Sequence, residues 1–242
     1  MKRETRGSVK DKSGTILAVA SAALVAAALA LVFLWAPTEM TMKEVQRIFY
    51  FHVAVDWVGF LAFFVTLVAS AAYLRTNDRK WDIVGMSSVE LGALFLTMGA
   101  MTGSLWARPV WNTWWTWDAR LTTVAITWLV YLAYLMLRGA IDDPQRRARF
   151  SAVYGIVSFV TVPLTFASVF FLRTIHPALF AASSAAQGKM QFETGLGSAK
   201  MGMTLTFCVI AFTVVYITLL RQRIRLERTA DRVARLQQEL VA

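Results

Sequence analysis

The sequence alternates between long uncharged apolar blocks and short polar segments. The blocks cover roughly residues 15–36, 53–74, 83–106, 121–138, 152–172 and 200–220. Each is close to the ~20 residues that a helix needs to cross a bilayer. Only helices and closed barrels satisfy their backbone groups in lipid, and the blocks lack the alternation of barrel strands. The pattern therefore predicts an all-α, polytopic membrane protein, a bundle of six transmembrane helices in one domain, 1–242. Pro163 predicts a kink in the fifth helix.

Composition supports a membrane protein and excludes other classes. Hydrophobic residues make up 57% of the chain and charged residues 17%, against roughly 45–50% and 25% in soluble domains. The net charge of +10 does not indicate a nucleic-acid-binding protein, because the basic residues stand at block ends and in the tails without interleaved aromatics. The single cysteine, Cys208, excludes an intramolecular disulfide, and no Cys-x-x-Cys-His motif is present for covalent c-type haem.

The distribution of basic residues predicts the orientation of the helices. Lysines and arginines are concentrated in the N-terminal tail, in the 75–82 and 138–150 loops and after residue 220, and they are sparse in 37–52, 107–120 and 173–199. Because cytoplasmic segments are enriched in basic residues, both termini are predicted to be cytoplasmic and the three sparse segments to face outward. The first block exceeds the apolar core of a signal peptide, about 7–15 residues, so it is predicted to be a spanning helix.

The basic C-terminal tail, 221–242, has two interpretations. Its apolar residues recur among arginines, which favours a cytoplasmic helical extension that lies on the membrane or on a partner. A solvated basic tail is the alternative.

The most unusual stretch is a tryptophan segment in the second outward region. Trp111, Trp114, Trp115 and Trp117 are followed by Asp118-Ala119-Arg120. The two histidines of the chain, His52 and His176, stand at the ends of the other two outward regions. A lone histidine is more often structural than a ligand. Two histidines at one membrane face, each beside aromatic residues, favour a shared ligand site.

The side chains at this face suit haem better than zinc. Zinc takes three or four protein ligands, and neither Asp118 nor Glu193 has ligand spacing to a histidine. Haem supplies four equatorial nitrogens, so two axial histidines complete the iron. Its flat apolar ring fits aromatic faces, and its propionates fit guanidinium groups. The outward regions offer both kinds of side chain: Trp114, Trp115, Trp117, Arg108, Arg120 and Arg173.

The conformation of the tryptophan segment is open to two interpretations. On a helix, Trp111, Trp114, Trp115 and Asp118 would share one face. That face is either an interfacial anchor at the lipid headgroups or a platform for the flat ligand. The number of tryptophans and the two outward histidines favour the platform.

Several segments resemble a known family. Trp114-Trp115-Thr116-Trp117-Asp118-Ala119-Arg120 resembles the WWD motif of the haem-handling proteins of cytochrome c maturation, the CcmC/CcmF/CcsA superfamily. Other stretches are similar to CcmC-type members in particular, and they occur in family order: Arg47-Ile48-Phe49-Tyr50-Phe51-His52-Val53, Ser88-Val89-Glu90-Leu91-Gly92-Ala93-Leu94-Phe95, Thr102-Gly103-Ser104-Leu105-Trp106 and Arg173-Thr174-Ile175-His176-Pro177.

The resemblance implies a function and a set of partners. It implies that His52 and His176 are axial ligands of non-covalent haem b and that the WWD segment, 106–122, is the haem platform. Arg120 and Arg108 would pair with the propionates, and Asp118 would orient Arg120 or bind the chaperone. The protein would present haem at the outer face of a prokaryotic inner membrane to the chaperone CcmE, in a complex with CcmA, CcmB and CcmD. No Gly-x-x-x-x-Gly-Lys-Ser/Thr motif is present, so any ATPase site would belong to a partner.

Two rival functions remain at this stage. One is a permease or assembly subunit of an ABC-type exporter that binds no haem and uses its tryptophans as anchors. The other is a CcsA-like lyase that attaches haem directly to apocytochrome c. A haem-transfer protein is favoured over a conventional enzyme.

Four further residues each carry a structural expectation. Glu90 is predicted to serve helix packing or a subunit contact, because a charged group inside a span is usually paired. Asp56, one turn after His52, either orients the imidazole or is an interfacial acid. Ala107 and Asn112 stand where the family usually has glycine; Asn accepts left-handed backbone and Ala does so poorly.

Overall fold

The computed structural model describes residues 12–176, 181–182, 192–193 and 198–241, the two short ranges by their backbone only. The helices are α1 Lys12–Ala30, continued by a π-helical turn Leu31–Trp35, then α2 Gln46–Thr76, α3 Arg79–Trp111, α4 Ala119–Gly139, α5 Pro144–Ser158, α6 Thr161–Phe171 and α7 Ala199–Val241. Strands Ala181–Ala182 and Phe192–Glu193 pair antiparallel. With α5 and α6 counted together, the described residues contain 6 helical segments long and apolar enough to cross a membrane. The predicted six-helix architecture is confirmed.

The long helices α2 and α3 form the centre of the bundle. They run antiparallel and approach closely, since a Cβ added at Gly92 would lie 2.6 Å from the Phe63 ring. Phe63 stacks on Tyr131 of α4 with ring centroids 3.5 Å apart. Helix α7 packs on α2 and α1, and α4 packs on α5 and α6. The core therefore runs along α2 and α3, with the other helices around it.

The helices extend beyond the apolar blocks that predicted them. α2 begins at Gln46 rather than near 53, and α3 covers Arg79–Trp111 rather than 83–106. Hydropathy detects only the part of a helix that lies in hydrocarbon, whereas the backbone bonds continue through polar and aromatic turns. The expectation that His52 lies at the entrance of the second helix was therefore wrong, because it lies inside α2. Ala107, expected in a loop, is buried within α3.

The fifth span is broken where its proline predicts. α5 ends at Ser158 and α6 begins at Thr161. Pro163 has no N–H to donate to the carbonyl of Phe159, four residues earlier, and its ring crowds that carbonyl. The helix therefore reorganises through two turn residues.

One end of the bundle, called the tail end, carries the start of α1, the end of α7 and a network of ion pairs. Arg138 binds the buried carboxylate of Asp82 at 2.5 and 3.1 Å. Arg223 binds Glu90 at 2.5 and 3.0 Å. Arg79 reaches from α3 to Asp231 on α7 at 3.1 Å. α7 thus continues as a helix through the predicted tail, as the helical interpretation required, and Glu90 serves helix packing.

The opposite end, called the site end, is formed by the ends of α1, α3 and α6 and the starts of α2, α4 and α7. All the candidate haem-site residues predicted above lie at this end. The basic tail before Lys12, together with Pro177 and Lys189, lies outside the described residues.

Candidate functional site

The two histidines meet at the site end. His52 comes from α2 and His176 from the segment after α6, and their ring centroids are 6.4 Å apart with an interplanar angle of 52°. They are separated by about half of the chain in sequence, so the helix bundle brings them together. The prediction that both lie at one end of the bundle is confirmed by this geometry.

The orientation of His52 is set by α3. Its Nδ1 lies 3.1 Å from the carbonyl oxygen of Gly99 and 3.4 Å from Oγ1 of Thr102. A bond from Nδ1–H to the backbone carbonyl leaves Nε2 as the nitrogen that can ligate a metal. Nε2 lies 3.6 Å from Oδ2 of Asp56, which is one turn further along α2. Asp56 is thus beside the imidazole, while the backbone of Gly99 provides the closer contact.

Two glycines of α3 make room for these side chains. A Cβ added at Gly99 would lie 1.6 Å from Oδ1 of Asp56, and one added at Gly103 would lie 2.8 Å from Cε1 of His52. The spacing Gly-x-x-x-Gly is the small-residue pattern by which membrane helices approach closely. These residues were missed by the sequence reasoning, although the spacing was visible in the chain.

Aromatic rings form the wall beside His176. Trp111, the last residue of α3, lies with its ring centroid 6.4 Å from that of His176. Trp106 packs edge-on against Trp111 at 4.9 Å, and Phe49 lies 6.4 Å from Trp106. Trp106 was expected where the third apolar block meets the WWD segment, and Phe49 was not singled out as a site residue. Both line the cavity described below.

The tryptophan segment after Trp111 is not a helix, so the single face that Trp111, Trp114, Trp115 and Asp118 would share on a helix does not form. α3 ends at Trp111, and Asn112 adopts the left-handed conformation with φ of 54°. Arg108 stabilises this turn by donating to the backbone and side-chain oxygens of Asn112, both at 2.7 Å. Residues 113–118 then run without helical structure until α4 begins. The helical spacing does not hold across this segment, because α3 ends at Trp111 and Asn112 takes the chain out of the helix.

The tryptophans of the non-helical segment fall into two groups, those that line the cavity and one that does not. Trp114 and Trp115 line the cavity, whereas Trp117 is 76% exposed and does not line it. Trp115 packs edge-on against Trp117 at 5.7 Å. Arg108 lies over the Trp114 ring at 6.0 Å and is not a lining residue. The structure therefore brings Trp114 and Trp115 to the histidines, and leaves Trp117 and Arg108 on the outside.

Asp118 connects the start of α4 to the His176 segment. One carboxylate oxygen caps the helix by accepting from the N–H of Leu121 at 2.9 Å. The other accepts from Oγ1 of Thr174 at 2.7 Å and from the N–H of Ile175 at 3.0 Å. Partial burial raises the pKa of Asp118, but these hydrogen bonds outweigh it and hold that pKa below its usual value. Asp118 thus holds the loop that carries His176, a role that its sequence neighbours did not reveal.

Arg120 points into the bundle rather than into solvent. It donates to the carbonyl oxygen of Thr165 at 2.6 Å and lies over the ring of Phe166 at 5.1 Å. It also lines the cavity, together with Asp56. A cation, Arg120, and a carboxylate, Asp56, therefore both line the cavity.

A cavity lies between these groups, and its space between atoms, including its open mouth, is about 610 Å³. Three buried polar atoms of lining residues have no hydrogen-bond partner within the described part of the chain: Asp56 Oδ1, Trp106 Nε1 and Trp115 Nε1. Buried polar atoms are normally bonded, so these three are available to a ligand in the cavity, while the other six unsatisfied atoms of the described residues belong to residues that do not line it.

The histidine spacing suits one metal ion held between two imidazoles. Metal–imidazole bonds are about 2 Å long, and each ring nitrogen lies about 1 Å from its ring centre, so two such ligands place their ring centres roughly 6 Å apart. The observed 6.4 Å agrees with this value. Among the described residues no group of three or more His, Cys, Asp or Glu comes together, and the side chain of Glu193 lies outside them. The residues present fit an iron whose other ligands come from a macrocycle.

Comparisons with known proteins give a consistent result. The family model CcmC, described as "Heme exporter protein C", matches residues 4–239. The chain is 34% identical to Heme exporter protein C of Bradyrhizobium diazoefficiens over 191 residues, 78% of this chain and 73% of that protein. It is 28% identical to Heme exporter protein C of Escherichia coli K12 over 211 residues, 86% of this chain and 81% of that protein. A cytochrome c biosynthesis ccmC-like mitochondrial protein of Marchantia polymorpha is 30% identical over 141 residues, 58% and 59% of the two chains.

Proposed function

Because the chain belongs to the CcmC family of heme exporter proteins, we propose that it binds haem between His52 and His176 at the outer face of the membrane and delivers it to the chaperone CcmE. A role in haem handling for cytochrome c maturation follows from the family and from the relatives. We propose three things beyond this role: which residues ligate the haem, which side of the membrane the site faces, and which protein receives the haem.

The observation that carries the proposal is the pair of imidazoles. Their 6.4 Å separation suits a single iron ion, and Nδ1 of His52 is bonded to a backbone carbonyl so that Nε2 faces away from it. Haem supplies an iron with four equatorial nitrogens, which leaves two axial positions for histidine. The macrocycle is cargo in this proposal, held without a covalent bond, as haem b.

Each of the other lining residues has a role in holding the cargo. The rings of Trp111, Trp114 and Trp115 provide apolar faces and exclude water from the iron. Arg120 is the arginine that lines the cavity, so it is placed to pair with a propionate, whereas Arg108 is not a lining residue. Asp118 does not bind haem; it holds the His176 segment.

The orientation and partners are proposed from charge and family. An even number of spans is consistent with both termini on one side of the membrane, and the excess of lysine and arginine in the tails and in the 75–82 and 138–150 loops favours the cytoplasm for that side. The site end then faces the outside of a prokaryotic inner membrane. The exposed Trp117 beside the cavity mouth is suited to contact CcmE, and CcmA, CcmB and CcmD are the proposed members of the complex.

The test is chemical rescue of each ligand. His52→Ala and His176→Ala are each expected to lower haem retention, and added imidazole is expected to restore the haem absorption spectrum by filling the space left by the ring. Trp117→Phe serves as an aromatic control outside the cavity. Haem retained equally by wild type and by both alanine variants, with no response to imidazole, would refute the ligand assignment.

The recipient is tested separately. Haem-loaded protein is mixed either with CcmE or with an apocytochrome peptide that contains Cys-x-x-Cys-His. Transfer to CcmE alone supports the proposal, and transfer to the peptide alone supports a lyase. A wild-type protein that binds no haem supports the exporter-subunit alternative.

A further inference from the structure

A second cavity opens beside the first, between α3 and α4. Its space, including its open mouth, is about 1090 Å³. α3 contributes one wall and α4 the other, and Trp114 and Trp115 cover it at the site end. Both helices are long and apolar enough to cross a membrane. This opening, called the lateral cleft, therefore lies at the depth of the bilayer.

The mouth of the lateral cleft faces lipid. Met101 and Leu105 line its α3 side, and each exposes more than half of its surface. On α4, Ile126 and Leu129 are also exposed apolar residues, and neither lines the cleft. Exposed large apolar side chains on a spanning helix are the surface that meets acyl chains. A molecule dissolved in the bilayer therefore has direct access to the cleft.

The inner part of the lateral cleft borders the histidine cavity. Five residues line both spaces: Ala100, Ser104, Trp114, Trp115 and Val124. Ala100 and Ser104 are small, so little side-chain volume separates the two. Nearer the tail end, Trp128 of α4 donates from Nε1 to Oγ1 of Thr97 on α3 at 2.9 Å. Both residues line the cleft, so this bond joins α3 and α4 within its wall.

The shape and chemistry of this opening fit a flat amphipathic molecule that enters edge-on. An apolar ring can pass between the small residues of α3 and the apolar wall of α4. Carboxylates at one edge of the ring would stay at the site end, where Arg120 lines the cavity. We propose that the lateral cleft is the port through which haem passes between the bilayer and the two-histidine site. This inference rests on the proposed function.

The test is to block the cleft without touching the site. Ala125 lines the lateral cleft and not the histidine cavity, so Ala125→Trp fills the port alone. Leu129→Trp, one turn further along α4 and 57% exposed to lipid, is the matched control. Apoprotein is reconstituted into phosphatidylcholine vesicles that already contain haem, and the growth of the protein-bound haem absorbance is followed with time.

Ala125→Trp is expected to load haem at least about tenfold more slowly, which corresponds to roughly 1.4 kcal/mol of barrier. Its final spectrum is expected to match wild type, because the ligands are unchanged, and Leu129→Trp is expected to load at the wild-type rate. Equal rates for all three proteins, or equal slowing by both substitutions, would overturn the proposal. An acyl-chain groove unrelated to haem gives equal rates. Wild-type protein that binds no haem at all defeats the proposed function instead.

A second variant covers the case in which tryptophan disturbs folding. Ala125→Cys adds a small thiol, and the native Cys208 is 0% exposed. A bulky maleimide attached to the folded protein is then expected to slow haem loading, while the unlabelled variant loads normally. The same label on Leu129→Cys is expected to have no effect. Unchanged loading by labelled Ala125→Cys contradicts the port.

Discussion

Replacing Gly99 with alanine is expected to damage the haem site while leaving the fold nearly intact. The added Cβ would lie 1.6 Å from Oδ1 of Asp56, so the carboxylate has to rotate away. That atom is the end of a side chain, and its movement costs little packing. The carboxylate beside His52 is displaced, however, and disturbance of the groups that surround a metal ligand typically lowers affinity about 10–100-fold.

Gly92→Ala provides the opposite case on the same helix. Its Cβ would lie 2.6 Å from the Phe63 ring and 3.1 Å from Ala62, and Phe63 is stacked against Tyr131. A rigid core cannot yield so easily, and overpacking typically costs about 1–3 kcal/mol. Gly92→Ala is therefore expected to lower the melting temperature without a direct effect on haem. Gly85→Ala, whose nearest contact would be an ordinary 3.6 Å, is the neutral control.

The assay compares two quantities for all three variants in detergent. Haem titration followed by absorption gives affinity, and thermal unfolding followed by circular dichroism gives stability. The expected result is a loss of affinity for Gly99→Ala and a loss of stability for Gly92→Ala. Wild-type haem affinity in Gly99→Ala would refute the claim that α3 positions the site. Equal loss of both quantities in both variants would also refute it.

Three further predictions follow from individual contacts. Asp118→Ala removes the cap of α4 and the anchor of the His176 segment. It should lower the free energy of unfolding by about 1 kcal/mol and weaken haem binding, which thermal unfolding and haem titration measure. Unchanged haem affinity would contradict this role of Asp118. Arg138→Met removes one of the two cations from the buried carboxylate of Asp82. Arg79 still pairs with that carboxylate, so the loss of unfolding free energy should stay below the ~3–5 kcal/mol typical of a buried charge left without a partner. The haem spectrum should be unchanged, and a changed spectrum would contradict the separation of the two ends. Trp117→Ala should leave the haem spectrum of the isolated protein unchanged, because Trp117 lies outside the cavity, while slowing transfer to CcmE.

The membrane-spanning architecture could be predicted from the sequence because lipid imposes a simple requirement. A helix must remain apolar over the hydrocarbon thickness, and that requirement is visible in one dimension. The charge pattern likewise brought His52, His176 and the tryptophan segment to one end of the bundle. The ends of the helices were missed, because α2 and α3 continue through polar and aromatic turns that hydropathy does not register.

The interior of the site could not be predicted because it depends on pairs of helices. Gly99 and Gly103 acquire their meaning only when α2 is packed on α3, since the atoms that they accommodate belong to Asp56 and His52. The role of Asp118 depends on a loop far along the chain. The course of the tryptophan segment depends on one left-handed residue, Asn112. The sequence signalled that Asn112 tolerates this conformation, but not that the helix ends there.

The central claim is that one iron is held between His52 and His176, and electron paramagnetic resonance of the ferric, haem-loaded protein tests it most directly. Two imidazole ligands predict a six-coordinate, low-spin signal in the wild type. Each single variant, His52→Ala or His176→Ala, is predicted to replace it with a high-spin signal, and imidazole is predicted to restore the low-spin form. A low-spin signal that persists unchanged in both variants would contradict the two-histidine site.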